Sequence, residues 1–272
     1  MTTTPTAEQR WVRFRAARDA ALAEKHGWLS LTSFQWLPSG PAPVDILPGL
    51  WSADQVSAQL SAAAADGVVD LATGHPVDGT VSAALDDEES LAWVACGGED
   101  GQRTVVELAR RAGRYAIRTR DSESPTLTGF TGVPVFAYRS DLVVRGRYEA
   151  YDEPKDEVIR TAHPEVPGSE RTVGEIVFRL PGEDRDFRLR TSQEDGGALG
   201  ITFHDSTNGI STPGWRRVTV RRPETDGAVT IDFNRAVAYP SAFTPFGTCP
   251  MPVRANVIDA PVEAGEKLPL VP

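Results

Sequence analysis

From about Val44 to Phe233 the chain is a succession of short extended runs with no helical period between them. Runs at Leu91–Cys96, Arg103–Leu108, Arg114–Thr119 and Leu142–Tyr148 come first. Others follow at Val173–Leu180, Asp186–Arg190, Ala198–Phe203, Arg217–Val220 and Val229–Phe233. Turn signals stand where hairpins need them, at Gly97-Gly98-Glu99-Asp100-Gly101, Pro181-Gly182-Glu183-Asp184 and Asp226-Gly227. Strands joined this closely pair antiparallel, because a parallel pair needs a long crossover. The sequence therefore predicts a mainly β fold, an antiparallel barrel-like or sandwich body with one N-terminal helix. Val56–Ala62 alternates like a strand although its alanines favour helix; its length and the Asp66-Gly67 turn place it among the strands.

The helix is announced by Thr6-Ala7-Glu8-Gln9, where Thr6 can accept from a first-turn amide while Gln9 reaches back. Trp11, Phe14, Ala17, Ala21 and Leu22 fall on one face, and Gly27 is a stop signal, so the spacing predicts a helix over 7–26. There is no repeat, low-complexity run or linker composition. The 272 residues read as a single domain: a helical arm (7–26), a β body (44–234) and an irregular proline-rich tail (235–272) packed on it. Tyr239 to Met251 is too rich in proline for a helix or inner strand, yet it carries Phe243, Phe246, Cys249 and Met251, which a solvated linker would not need.

Composition removes several classes of function. A 40% apolar content supports a sizeable core, but no apolar run approaches the ~20 residues of a membrane span. A net charge of −10 argues against nucleic acid as the main partner. Arg110-Arg111, Arg216-Arg217 and Arg221-Arg222 read as solvated strand faces. Met1-Thr2-Thr3-Thr4-Pro5 has neither a basic nor an apolar leader region, which predicts a cytoplasmic protein. Cys96 and Cys249 give no disulfide framework and no metal motif; they allow one bridge, but read better as two buried free thiols.

Two polar clusters end two of the strand candidates: Phe203-His204-Asp205-Ser206-Thr207-Asn208-Gly209 and Ile231-Asp232-Phe233-Asn234-Arg235. Asp205 and Asp232 each follow an apolar strand residue, which would place both at one mouth of a barrel. Two carboxylates in a half-buried pocket have their pKa values pushed apart, one becoming acid and the other base. Thr207, Asn234 and Asn256 would then position a substrate, between walls made by Trp28, Trp36 and Phe243. A structural reading stands beside this one. Asp205 with Gly209 suits an Asx-type turn, Asp232 and Asn234 suit backbone capping, and two tryptophans so close together usually belong to a core. Arg118, in Arg118-Thr119-Arg120-Asp121, is either a clamp for an anionic or carbonyl-bearing ligand or a buried ion-pair partner of Asp205, Asp232 or Glu266.

Metal and cofactor chemistry lack their motifs. His204-Asp205 are adjacent and point to opposite faces of a strand, and there is no His-x-His, His-Glu-x-x-His or Cys-x-x-Cys. Cys249 and Ser241 have no recognisable partner base, and Gly196-Gly197-Ala198-Leu199-Gly200 lacks the Lys-Ser/Thr of a phosphate loop. No cofactor and no metal are expected.

The chain resembles the bacterial family called domain of unknown function 1684 over nearly its whole length. The resemblance begins at Gly27-Trp28-Leu29-Ser30-Leu31 and Trp36-Leu37 and runs through Arg118–Asp121 and Phe130-Thr131-Gly132. It is densest at Phe203–Gly209, Asp232–Ala236, Ala242-Phe243-Thr244, Cys249-Pro250-Met251-Pro252, Asn256 and Ala264-Gly265-Glu266-Lys267. Departures lie at Ser211–Arg216, Val237–Ser241 and Ala255-Asn256-Val257, where the family's tyrosine, cysteine, glutamate and arginine are missing or displaced. The resemblance marks residues without supplying a reaction. The expectation is a small-molecule-binding protein, with no nucleic-acid or membrane partner. Its sharper form is a cofactor-independent acid–base enzyme for hydrolysis, elimination or cyclisation in a specialised biosynthetic pathway. The alternative is a non-catalytic carrier with a degenerate family site.

Overall fold

A computed structural model describes residues 4–99 and 102–270. Asp100 and Gly101 of the expected Gly97–Gly101 turn, and Met1–Thr3, lie outside the described residues. The chain divides into two compact units. An inserted unit spans Leu22–Phe130; a split unit joins the described part of Met1–Ala21 to that of Thr131–Val271. The fold is mainly β, with three sheets and one N-terminal helix of 16 residues, and the expected class holds.

That helix, α1 (Ala7–Leu22), opens with the anticipated capping box: the Gln9 amide donates to Thr6 Oγ1 at 3.1 Å, and the Thr6 amide donates to Gln9 Oε1 at 2.9 Å. It stops at Leu22, four residues short of the expected end, and a turn in which Gly27 N–H donates to Glu24 O at 2.9 Å follows. Its packing face is only partly the expected one. Leu22 is buried and Trp11 and Phe14 are half-buried, but Ala17 and Ala21 are exposed, whereas Arg15 is buried and Arg18 half-buried. The helix is fixed by polar bonds: Trp11 Nε1 donates to Asn234 O at 2.9 Å, and Arg15 and Arg18 both reach the fully buried Glu266, at 2.5 and 3.2 Å.

The inserted unit holds β1 (Leu31–Trp36), β2 (Ala42–Val44), β3 (Leu47–Ala53), β4 (Ala58–Ala62), β5 (Val68–Asp70), β6 (Gly79–Ala83), β7 (Ser90–Cys96), β8 (Thr104–Arg111) and β9 (Arg114–Asp121). They form a five-stranded sheet, β1-β9-β8-β7-β5, and a four-stranded sheet, β2-β3-β4-β6. One core takes residues from both, including Trp51 and Leu60 from the smaller and Val106, Leu108, Tyr115 and Ile117 from the larger. Strand alternation then turns Glu107, Arg111, Arg118 and Arg120 to the opposite face of the larger sheet.

The split unit holds β10 (Val143–Ile159), β11 (Gly168–Phe178), β12 (Phe187–Gln193), β13 (Leu199–Asp205), β14 (Arg216–Val220), β15 (Ala228–Asp232), β16 (Val237–Ala238) and β17 (Val257–Ile258). Their order is β15-β10-β11-β12-β13-β14-β16, antiparallel throughout, with β17 joining β13 in parallel. The sheet curls into a half-barrel whose strands β14 and β15 approach each other. Its core includes Ile176, Leu189, Ile201, Phe203, Ile231 and Phe233. The proline-rich tail enters that core with every second residue, Ile258, Ala260, Val262 and Ala264. Cys96 and Cys249 are both thiols, Cys249 buried as expected and Cys96 only half-buried. No helix among the described residues is long and apolar enough to cross a membrane.

Candidate functional site

Within the half-barrel, β13 and β15 run in the same sense, so Asp205 and Asp232 do lie at the same end of the sheet. Their surroundings differ. The Asp205 side chain is wholly buried, as is that of Arg216, and Arg216 Nη2 meets Asp205 Oδ2 at 2.8 Å. Asp205 Oδ1 accepts from the Thr207 amide at 2.9 Å, from Thr207 Oγ1 at 2.5 Å and from the Val262 amide at 3.3 Å. Arg216 donates to the carbonyls of Val262 (2.8 Å), Ala264 (2.5 Å) and Glu266 (3.3 Å). Burial pulls the Arg216 guanidinium below its usual range, and the Asp205 charge offsets part of this. The pair thus grips the tail from both sides. Arg216 is therefore no solvated strand face: it stands in phase with the buried Val218 and Val220, and alternation sends it inward.

The two buried asparagines act as backbone surrogates. Asn256 Oδ1 accepts from the Arg190 amide at 2.7 Å, and its Nδ2 donates to the carbonyls of Arg190 and Thr202, both at 2.9 Å. It bridges β12 and β13 where their own pairing, confined to Ser192–Gly200 and Gln193–Leu199, has ended. Asn234 Oδ1 accepts from the Arg139 amide, and its Nδ2 donates to Arg139 O and to Asp232 Oδ1. Asp232 also caps the Asn234 amide, but it is only half-buried and lines a cleft of about 710 Å³ with Tyr138, Trp11 and Arg235. Phe243 is buried, and Thr207 hydrogen-bonds Asp205 and Thr212.

The inserted unit holds the remaining candidates: Trp28 and Arg118 line one cleft, and Trp36 does not. Hairpin β8–β9 folds at Ala112 and Gly113, both with positive φ, and sets Glu107 opposite Arg118. Arg118, 1% exposed, donates to Glu107 Oε1 at 2.8 Å; Arg120 reaches Glu107 Oε2 at 2.5 Å. None of the three carboxylates considered for Arg118 is this partner; Glu107 is. Burial pushes the Glu107 carboxyl up, but the Arg118 and Arg120 charges, with hydrogen bonds from Arg120 and Ser90, outweigh it and hold it below the usual carboxylate range. Above this floor is a cleft of about 390 Å³, lined also by Trp28, Leu91, Val105 and Arg111. Neither Trp28 nor Trp36 is a core residue. Arg120 lies 5.0 Å from the Trp28 ring centre and Arg114 3.9 Å from that of Trp36, while Trp51 and Trp93 fill the core.

Among the described residues, no three His, Cys, Asp or Glu side chains converge as a metal site requires. His204 Nδ1 lies 2.7 Å from Gly214 O.

Residues 128–267 match the model of a family described as "Protein of unknown function (DUF1684)". The chain belongs to that family. The DUF1684 match covers about half the chain rather than nearly all of it. The motifs at Gly27–Leu31, Trp36-Leu37 and Arg118–Asp121 fall outside it, and it coincides instead with most of the split unit. No curated protein matches the chain. A solution NMR structure of an uncharacterized protein from Haloarcula marismortui is similar at 25% identity over 52% of this chain and 78% of that one, with a TM-score of 0.43.

Proposed function

We propose that the protein binds a small organic molecule in the cleft of its inserted unit. The observation that carries this reading is the cleft's construction: a buried Glu107–Arg118 pair joined by the half-buried Arg120 beneath, and Trp28, 37% exposed, beside apolar Leu91 and Val105. Rigid polar groups under an apolar wall are the usual make-up of a ligand site, and about 390 Å³ lies at the small end of such sites. A metabolite panel read by thermal shift tests it. A bound class raises the melting temperature by mass action, and Trp28→Ala, measured against its own unliganded melting temperature, removes that rise. A rise that survives Trp28→Ala rejects the cleft.

A second reading, acid–base catalysis, keeps Asp232 as its carboxylate. What favours it is that Asp232 is half-buried in the larger cleft, its Oδ1 fixed by Asn234, with burial and then the Asp232 charge raising the Tyr138 hydroxyl. Asp232→Asn should then abolish conversion of a stabilising compound while sparing its binding. Retained conversion rules Asp232 out.

A further inference from the structure

We infer that the ligand of the inserted unit's cleft is a small monocarboxylate with an apolar body, and that Arg111 is the cation that receives it; this rests on the binding reading above.

Charge around the cleft decides the class. Glu107 is shared between Arg118 and Arg120, so one carboxylate faces two guanidinium groups. Arg111 adds a third. It is held by neutral groups, with Nη1 donating to the carbonyls of Glu89 at 2.7 Å and Arg110 at 2.6 Å, and Nη2 to Ser90 Oγ at 2.8 Å. Its ion-pair partner Glu88 stands 3.6 Å away with a side chain 68% exposed, where solvent screens most of the attraction. Among the residues that line the cleft, Glu107 is the one carboxylate against three arginines; Glu88 and the exposed Asp87 also act on Arg111, but from solvent, so Arg111 is the lining cation whose counter-charges are screened. Burial, and then the Arg118 charge, both disfavour the Arg111 cation. A ligand anion beside it relieves both costs.

Arg118 and Arg120 are both committed to Glu107, so the one remaining lining arginine points to one carboxylate. With Nη1 donating twice and Nη2 once, Nε and the second Nη2 hydrogen of Arg111 are the donors left for a carboxylate. Trp28, Leu91, Ala92 and Val105 then cover an apolar body of the size the cleft allows.

Isothermal titration calorimetry with 2-naphthoate and hydrocinnamate, against their primary amides, tests this on the full chain. The acids are expected to bind at least about tenfold more tightly than the amides, a difference of about 1.4 kcal/mol. Arg111→Gln should erase that preference, and Arg111→Lys should restore part of it. Equal binding of acids and amides overturns the inference while leaving the cleft a binding site. Binding of neither overturns both. Phenyl phosphate binding more tightly than the acids overturns the carboxylate assignment. If Arg111→Gln fails to fold, Arg111→Lys and the salt dependence of wild-type acid binding carry the test, and acid affinity indifferent to salt rejects the charge pairing.

Discussion

Arg216 and Asp205 meet at 2.8 Å with both side chains wholly buried, and the same two groups hold Val262 by its carbonyl and its amide. The ion pair is therefore also the seat of the C-terminal tail. A buried pair is costly to form, but breaking it strands a charge in a dry interior.

Asp205→Ala should accordingly destabilise the chain by about 3–5 kcal/mol in urea denaturation, because Arg216 loses its counter-charge. Arg216 would keep only tail carbonyls as partners. A loss below about 1 kcal/mol would show that Asp205 is dispensable to the fold, and would return it to the list of reactive groups.

Asn256→Ala removes one acceptor and two donors from the gap between β12 and β13. The expected cost is about 2–4 kcal/mol, since two carbonyls and an amide lose buried partners together. Hydrogen exchange gives a sharper readout. The Arg190 amide, which donates to Asn256 Oδ1 at 2.7 Å, should exchange faster in the variant while the amides of β11 keep their protection.

Gly265 has φ +75°, and a Cβ placed there would overlap the Ala236 carbonyl and stand 2.9 Å from that of Phe233. Both obstacles are backbone, which cannot swing aside. Gly265→Ala should cost about 2 kcal/mol or more, from left-handed strain and the clash together. The melting temperature checks it, and an unchanged value would contradict the placement of the tail.

Much of the half-barrel is legible in the sequence, because its strands alternate cleanly and their turns carry glycine. The inserted unit is less so. Pro48 and Gly49 interrupt β3, and β1 reads as an aromatic cluster because Phe34 and Trp36 share one side of it. The candidate residues were visible as polar strand ends, but their roles depended on partners distant in the chain. Asp205 needed Arg216, whose inward phase with Val218 and Val220 was available yet masked by its neighbour Arg217. Glu107 became findable only once the hairpin was closed at Ala112-Gly113. On the helix, Trp11, Phe14 and Leu22 pack as their spacing suggests, but Ala17 and Ala21 do not; arginines aimed at Glu266 take their place.

Acid should loosen the inserted unit through Glu107. Its carboxyl is held low in the folded chain, so the unfolded chain binds the proton at higher pH. This contribution is complete above the unfolded carboxylate value of about 4.3 and is lost as pH falls through the lower folded value. Glu107→Gln should therefore lower stability at pH 7 and flatten its decline on acidification. A decline of equal steepness in the variant would assign the acid sensitivity to other carboxylates.

The proposed binding site meets its most direct check in a crystal structure of the protein grown with 2-naphthoate. Density for the ring beside Trp28, with its carboxylate within hydrogen-bonding distance of Arg111, is the expected result. Density beside Asp232 and Tyr138 instead, or an empty cleft at saturating concentration, would contradict it.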